Sequence, residues 1–146
     1  MHYKANETYV AVAMEVDVDV KSDVIQVTRM AYTHDCGLVG NQDAVRSKTE
    51  DNLLHTLSWT LHEEVKFDRL RVNSTDWENY RMLTFPKVPT LLIDVIDRPD
   101  QSRLVARDAG ATPVLAALAN AAFNVCGIRL RATPVTSDKV KALLLA

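Results

Sequence analysis

Between Val10 and Val20 apolar residues recur at every second position. Val10, Val12, Met14, Val16, Val18 and Val20 face one way, and Ala13, Glu15, Asp17 and Asp19 the other. A period of two is that of a strand with one buried and one wetted face. Lys21-Ser22-Asp23 reads as a turn, after which "VIQVTRMAY" (24–32) returns as a second strand, so the two form a hairpin. The acidic strand face beside Lys21 and Arg29 raises the question of a cation site, but a solvated outer sheet face explains it with fewer assumptions. The stretch "THDCGLVGNQD" (33–43) is a loop with two glycines, and Asn41 is placed to cap a helix.

From Gln42 the period becomes helical. Val45, Thr49, Leu53, Leu57 and Leu61 form a stripe, widened by Leu54 and Trp59, and the helix is expected to run to about Glu64. Arg46, Lys48, Glu50 and Asp51 sit on its opposite, polar face. "VKFDRLRVN" (65–73) suggests a short strand pair turning at Asp68-Arg69. In 74–89, Pro86 and Pro89 forbid a regular helix. "TLLIDVID" (90–97) is a continuous apolar strand, expected in the centre of a sheet. Thr112-Pro113 gives a helix start, and Gly127 a left-handed stop, around "PVLAALANAAFNVC". That helix is apolar almost all round, which predicts burial on most sides. "IRLRA" (128–132) reads as an edge strand and 136–146 as a capped terminal helix. The order β-β-α-β-β-β-α-β-α predicts an α+β fold, a mainly antiparallel sheet with three helices packed against it, as one domain over 1–146.

Composition narrows the function classes. A chain of 146 residues, 47% hydrophobic and 25% charged, is globular. A net charge of -2 offers no electrostatic footprint for nucleic acid or an anionic membrane. No apolar run approaches the roughly 18 residues of a membrane span, and the start lacks a signal-peptide pattern, so the expected location is cytoplasmic. Cys36 and Cys126 lie far apart with no zinc-type spacing. Cys36 follows His34-Asp35, which invites a nucleophile reading, but a small buried thiol at a strand end is favoured. His55 and His62, seven apart, share a helix face without metal-ligand spacing, so a solvated or half-buried pair is expected and no metal site. One charged pair, Arg107-Asp108, stands at the mouth of the apolar helix, where it is either a reactive site or a solvated loop.

A set of segments in order bears on that pair. "YK", "YVAVAMEVDVD" (9–19), "DCGLVGN" (35–41), "TLSWTLHEEVKFD" (56–68), "WENYRMLTFPKVP" (77–89), "VIDRPDQ" (95–101) and "AGATPVLAALANAAFNVCGIRLR" (109–131) together resemble the C-terminal part of the molybdopterin-binding subunit of the xanthine dehydrogenase and aldehyde oxidase family. The bacterial nicotinate and isoquinoline dehydrogenase type is the nearest in flavour. The resemblance implies an oxidoreductase in which a molybdenum centre on a pterin hydroxylates an aldehyde or N-heterocycle. Electrons then leave through iron–sulfur clusters held elsewhere, and a Gly-x-Gly-Glu loop supplies a carboxylate base.

Against that pattern the chain departs at the cofactor side. Gly-x-Gly-Glu is matched by Val105-Ala106-Arg107-Asp108, which has neither glycine and a carboxylate one methylene shorter. Valine and arginine do not cheaply take positive φ, and displacing a base by about 1 Å can cost on the order of a hundredfold in rate. The family's Asn-Pro is Asn41-Gln42 here, and its Gln-x-Glu-Gly is Lys48-Thr49-Glu50-Asp51. The candidate site residues are therefore Asp108 as the catalytic position, with Val105, Ala106, Arg107 and Lys48 on the cofactor side. The chain matches about the last fifth of the family subunit and reads as truncated, so no cofactor is expected in it alone, although the family uses molybdopterin with molybdenum.

Three functional expectations follow. The first is a relative without catalytic activity by itself, covering its apolar surfaces as a homo-oligomer. The second is an accessory chain completing a molybdenum hydroxylase with a larger partner subunit. The third is a small-ligand binding domain using a pocket lined by Val105, Leu115 and Phe123.

Overall fold

The computed structural model describes residues 2–5 (backbone), 8–19, 22, 24–104 and 110–145. Strand β1 (His2–Ala5) leads into β2 (Thr8–Asp19) and β3 (Val24–Asp35). Helix α1 (Gln42–Leu61) follows, then a 3-10 turn at Phe85–Lys87, strand β4 (Thr90–Ile96), and helices α2 (Thr112–Cys126) and α3 (Ser137–Leu144). The sheet order is β1-β2-β3-β4, with antiparallel pairing except between β3 and β4. The expected α+β fold, a mainly antiparallel sheet with three helices, is present. Among the described residues no helix is long and apolar enough to cross a membrane.

The hairpin follows its alternation. Val10, Val12 and Val16 are buried, whereas Ala11, Ala13, Glu15, Asp17 and Asp19 are exposed. On β3 the parity switches midway: Ile25 and Val27 point inward, and then so do Met30, Tyr32 and His34. The switch falls where Glu15 pairs with Arg29 but Val16 pairs with Val27, leaving Thr28 as the extra residue of a bulge. Thr28 donates its hydroxyl to the Glu15 carbonyl at 3.3 Å, and Arg29 Nε donates to the Glu15 carboxylate at 3.1 Å. That bond, and the guanidinium's charge after it, hold Glu15 below the ordinary carboxylate range. The acidic strand face is thus a solvated outer face in which Glu15 is paired across the hairpin.

The inner face carries the helices. Helix α2 packs across β2, α1 against β4 and α2, and α3 against β3. The core joins Met30, Tyr32, Leu53, Leu57, Val114, Leu118 and Val140, all within 2% of full burial. Removing apolar surface of this kind from water, at roughly 25 cal/mol per Å², is the main stabilising term.

Several elements differ from the sequence expectation. The order begins with β1, a strand too short for its periodicity to announce it. Helix α1 stops at Leu61 rather than Glu64, where His62 N–H closes on the Ser58 carbonyl. Its buried stripe takes in Thr56, Ser58 and Thr60, while Trp59 is exposed. Two of those hydroxyls are bonded: Thr60 Oγ1 donates to the Thr56 carbonyl, and Ser58 Oγ accepts from Leu83 N–H. The strand pair at 65–73 reduces to one bridge, Phe67 to Val72.

Strand β4 lies at the edge of the described sheet, not in its centre. Its outward Leu92 and Ile96, which make the run look continuous, stand on an uncovered face. Helix α2 begins one residue earlier than the cap reading required, with Ala111 in the cap position and no side-chain cap bond. It does stop at Gly127, whose φ of 74° is left-handed. Its burial is one-sided, with Leu115, Phe123 and Val125 exposed. Residues 128–131 form no strand.

Candidate functional site

The end of β3 and the loop to α1 face the segment that follows β4. Gly37 takes φ +74°, and a Cβ there would lie 2.2 Å from the Ser102 carbonyl oxygen. Only glycine allows the two backbones to approach so closely. The approach is laced by hydrogen bonds: Arg98 N–H to the Gly37 carbonyl at 3.1 Å, Leu104 N–H to the Cys36 carbonyl at 3.0 Å, and Val39 N–H to Asp97 Oδ1 at 3.0 Å. Across the same seam the Arg98 guanidinium meets Asp35 at 2.7 Å. A cavity of about 370 Å³ opens beside it, lined by Tyr9, Asp35, Gly37, Arg98, Ser102 and Leu104 among others. Leu104, at the entry to the predicted site loop, is thereby held against the loop that starts α1.

Inward from this seam lies a group that sequence reasoning does not single out. Tyr32 and His34 point into the core from β3, with rings edge-on at 5.8 Å. His34 is 1% exposed, and among the described residues neither of its ring nitrogens, nor the Tyr32 hydroxyl, has a hydrogen-bond partner. An added Cβ at Gly110 would lie 3.3 Å from the Tyr32 oxygen, which places this pair beneath the entry to α2. Burial pushes the Tyr32 phenol far up, with the Cys36 charge adding to it. Burial also pushes the His34 imidazole down, against the pull of Asp35. The only signal in the sequence is the Met30, Tyr32, His34 alternation, which becomes visible once the bulge at Thr28 is known.

The predicted site residues separate. Val105, Ala106, Arg107 and Asp108 lie outside the described residues. Lys48 is exposed on the second turn of α1, with its Nζ 2.6 Å from Asp51 Oδ2. Arg46 and Glu50 pair beside it at 3.5 Å. The structure does not bring Lys48 into the Gly37–Ser102 cavity, so its helix face is a run of surface ion pairs, as the solvent reading of that face expects. Cys36 is buried, and burial, followed by the Asp35 charge, raises its thiol, which makes it a poor nucleophile. His55 is solvated, contacting Asp51 and stacked on Trp59, and His62 is half-buried.

Leu115 and Phe123 are both exposed on α2. Phe123 lies under the Arg129 guanidinium at 3.9 Å, beside a small hollow of about 230 Å³ whose lining does not include Leu115. The ligand pocket expected from Val105, Leu115 and Phe123 has one member, Val105, outside the described residues.

Several described groups that could meet a pterin are engaged within the chain. Gly37, whose bare backbone could have met a ligand, has that space filled by Ser102. The carboxylate at the seam, Asp35, is already paired with Arg98, and Lys48 with Asp51. No group of three or more His, Cys, Asp or Glu is placed to hold a metal among the described residues.

The chain's relatives share this fold. The model of a molybdopterin cofactor-binding domain matches residues 2–89. One of the subunits of nicotinate dehydrogenase from Pseudomonas putida is 34% identical over 130 residues, 89% of this chain but 11% of that protein. The molybdenum-binding subunit of an Escherichia coli aldehyde oxidoreductase is 31% identical over 91% of this chain and 19% of its own. Among solved structures, the aldehyde oxidoreductase of Desulfovibrio gigas superposes with a TM-score of 0.85 at 24% identity, covering 95% of this chain and 16% of that one. Quinoline 2-oxidoreductase from Pseudomonas putida 86 gives 0.82 at 20% identity, over 94% and 19%. The chain spans between about a tenth and a fifth of these proteins, and by its sequence it belongs to the molybdopterin cofactor-binding domain family.

Proposed function

We propose that this chain performs no hydroxylation by itself and is an association-dependent unit of the molybdopterin-binding kind, which covers its apolar surface with a second copy. The observation that carries this reading is the segment between α1 and β4. There Phe67, Leu70 and Phe85 are 75%, 94% and 90% exposed. Leu92 and Ile96 on the outer sheet face, and Val125 on α2, add to the uncovered apolar area. Monomeric proteins rarely leave so much large apolar side chain in water, and such surface marks association. An isologous contact with a second copy satisfies it without any other component.

In this reading Asp108 is a solvated acid at the entry to α2, and Val105, Ala106, Arg107 and Lys48 hold no cofactor in the chain alone. The departures from the family's glycine loop support that assignment. A second reading, an accessory chain that completes a larger hydroxylase subunit, is favoured by one observation. The relatives are several times longer, so the same apolar surface would suit such a partner equally well.

The test is to purify the chain, measure its mass in solution by light scattering, and assay bound molybdenum by elemental analysis. A metal-free dimer or higher oligomer is expected, and the variant Phe67→Ser/Leu70→Ser/Phe85→Ser is expected to run as a monomer with an unchanged circular dichroism spectrum. Stoichiometric molybdenum would overturn the non-catalytic reading. A wild-type monomer would overturn self-association and leave the accessory reading in its place.

A further inference from the structure

At the opposite end of β3 from the Gly37 seam, a cavity of about 440 Å³ lies between the end of α1, the segment before β4 and the start of α3. Its polar wall carries two cations, Arg81 and Lys87, beside the His62 imidazole, Thr84 and Ser137. No carboxylate is among its lining residues. Neither Arg81 nor Lys87 has an ion-pair partner among the described residues. Two cations without a carboxylate partner thus converge on one cavity.

The wall is also held in place. Leu83 N–H is tied to Ser58 Oγ on α1, Lys87 N–H closes on the Thr84 carbonyl, and Tyr80 donates its hydroxyl to Glu63 at 2.6 Å. Asp76 accepts from the N–H groups of Glu78 and Asn79, which shapes the turn carrying Trp77. Trp77 is 79% exposed and lines the cavity, presenting an apolar ring at its rim. Across from it α3 opens at Ser137 after Thr136, whose side chain makes no cap bond, so the helix's first N–H groups and the Ser137 hydroxyl add donor capacity. The electrostatics agree with this geometry. Burial, and then the Lys87 charge, hold His62 below its ordinary value; Glu63 pulls the other way, and Arg81 adds to the lowering.

We infer that this cavity is a binding site for a small organic anion, whose charged group meets Arg81 and Lys87 and whose flat apolar body lies against Trp77. Charge-assisted contacts to two cations give such a ligand its orientation. The aromatic ring, large and stiff, supplies apolar contact at low entropic cost. The site is remote from the Gly37 seam and is not lined by Phe67, Leu70 or Phe85, although Phe85 adjoins it in the turn that carries Lys87, so binding and self-association are measured separately.

Phenyl phosphate is a suitable probe, titrated into the whole chain carrying Trp59→Phe so that fluorescence reports Trp77 alone, with calorimetry in parallel. Saturable binding with a dissociation constant on the order of 1 mM or tighter is expected, weakening as ionic strength rises. The variant Arg81→Gln/Lys87→Gln is expected to bind about tenfold more weakly or worse, with Arg131→Gln, a cation outside the cavity, binding as wild type. Inorganic phosphate and phenol, each lacking one half of the ligand, are expected to bind distinctly more weakly than phenyl phosphate. No saturation by about 20 mM would overturn the inference. So would undiminished binding by the double variant, or equal affinity for either half-ligand. Circular dichroism confirms that the variants fold, and either single substitution serves if the double one does not.

Discussion

Two glycines of this chain share one backbone conformation but not one environment, and that difference makes a sharp experiment. Gly37 and Gly127 both have φ +74°. Placing alanine in the left-handed region costs roughly 1 kcal/mol or somewhat more at either position. Alanine also lowers the entropy of the unfolded chain by a similar amount at each, so that contribution cancels in the comparison. What remains is space. At Gly127 a Cβ meets nothing within 4 Å, whereas at Gly37 it lies 2.2 Å from the Ser102 carbonyl oxygen. That atom is backbone, so the two segments must separate by about 1 Å to reach ordinary van der Waals contact. The separation strains the Arg98 N–H to Gly37 carbonyl and Leu104 N–H to Cys36 carbonyl bonds, each worth about 1 kcal/mol.

Gly37→Ala is therefore expected to destabilise by about 3 kcal/mol and Gly127→Ala by about 1 kcal/mol. For a chain of this size the difference of about 2 kcal/mol is a gap of roughly 4–10 °C in melting temperature. Urea unfolding followed by circular dichroism measures both, with equal slopes expected if the denatured states are alike. Equal losses, within about 0.5 kcal/mol, would refute the claim that the Gly37–Ser102 contact holds the seam closed.

Other consequences are read in the same assay. His34 is buried with its imidazole held down, so the unfolded chain takes up a proton near pH 6.5 that the folded chain refuses. Stability is then full above about pH 6.5 and falls as the pH drops toward the folded value, and His34→Gln is expected to flatten that fall. His62 titrates in the same direction, so the difference between wild type and variant, and not the slope alone, is the measurement; unchanged slopes would count against the unpartnered burial of His34. On α2, Leu118 is fully buried and Leu115 is 40% exposed, three residues away on the same helix. Leu118→Ala is expected to cost about 2–5 kcal/mol and Leu115→Ala less than about 1 kcal/mol in dilute protein. A comparable loss at both would mean that α2 is covered on its outer side, as the composition of the helix suggests.

Much of the fold was legible because it rests on local periodicities. The alternation from Val10 marks β2 and its wetted face, the stripe through Thr49, Leu53 and Leu57 marks α1, and Gly127 marks the end of α2. The bulge at Thr28 was not legible, since one extra residue leaves no composition signal yet turns Tyr32 and His34 into the core. The candidate site was expected at Val105 to Asp108 and Lys48; the first four lie outside the described residues, and Lys48 lies on a solvated helix face. The cationic cavity drew on residues from three separated segments, His62, Arg81 with Lys87, and Ser137. No spacing along the chain could have joined them.

What the sequence by itself determined is which residues want to leave water and with what period, and hence the strands, the helices and their stops. Tertiary structure alone decided what covers them. Leu92 and Ile96 on β4 and Phe123 on α2 are as apolar as their buried neighbours, and the sequence expected both elements to be enclosed. Burial is a property of a pair of surfaces. A hydrophobic pattern states the demand for a covering surface, and only the arrangement of the elements shows whether this chain meets it.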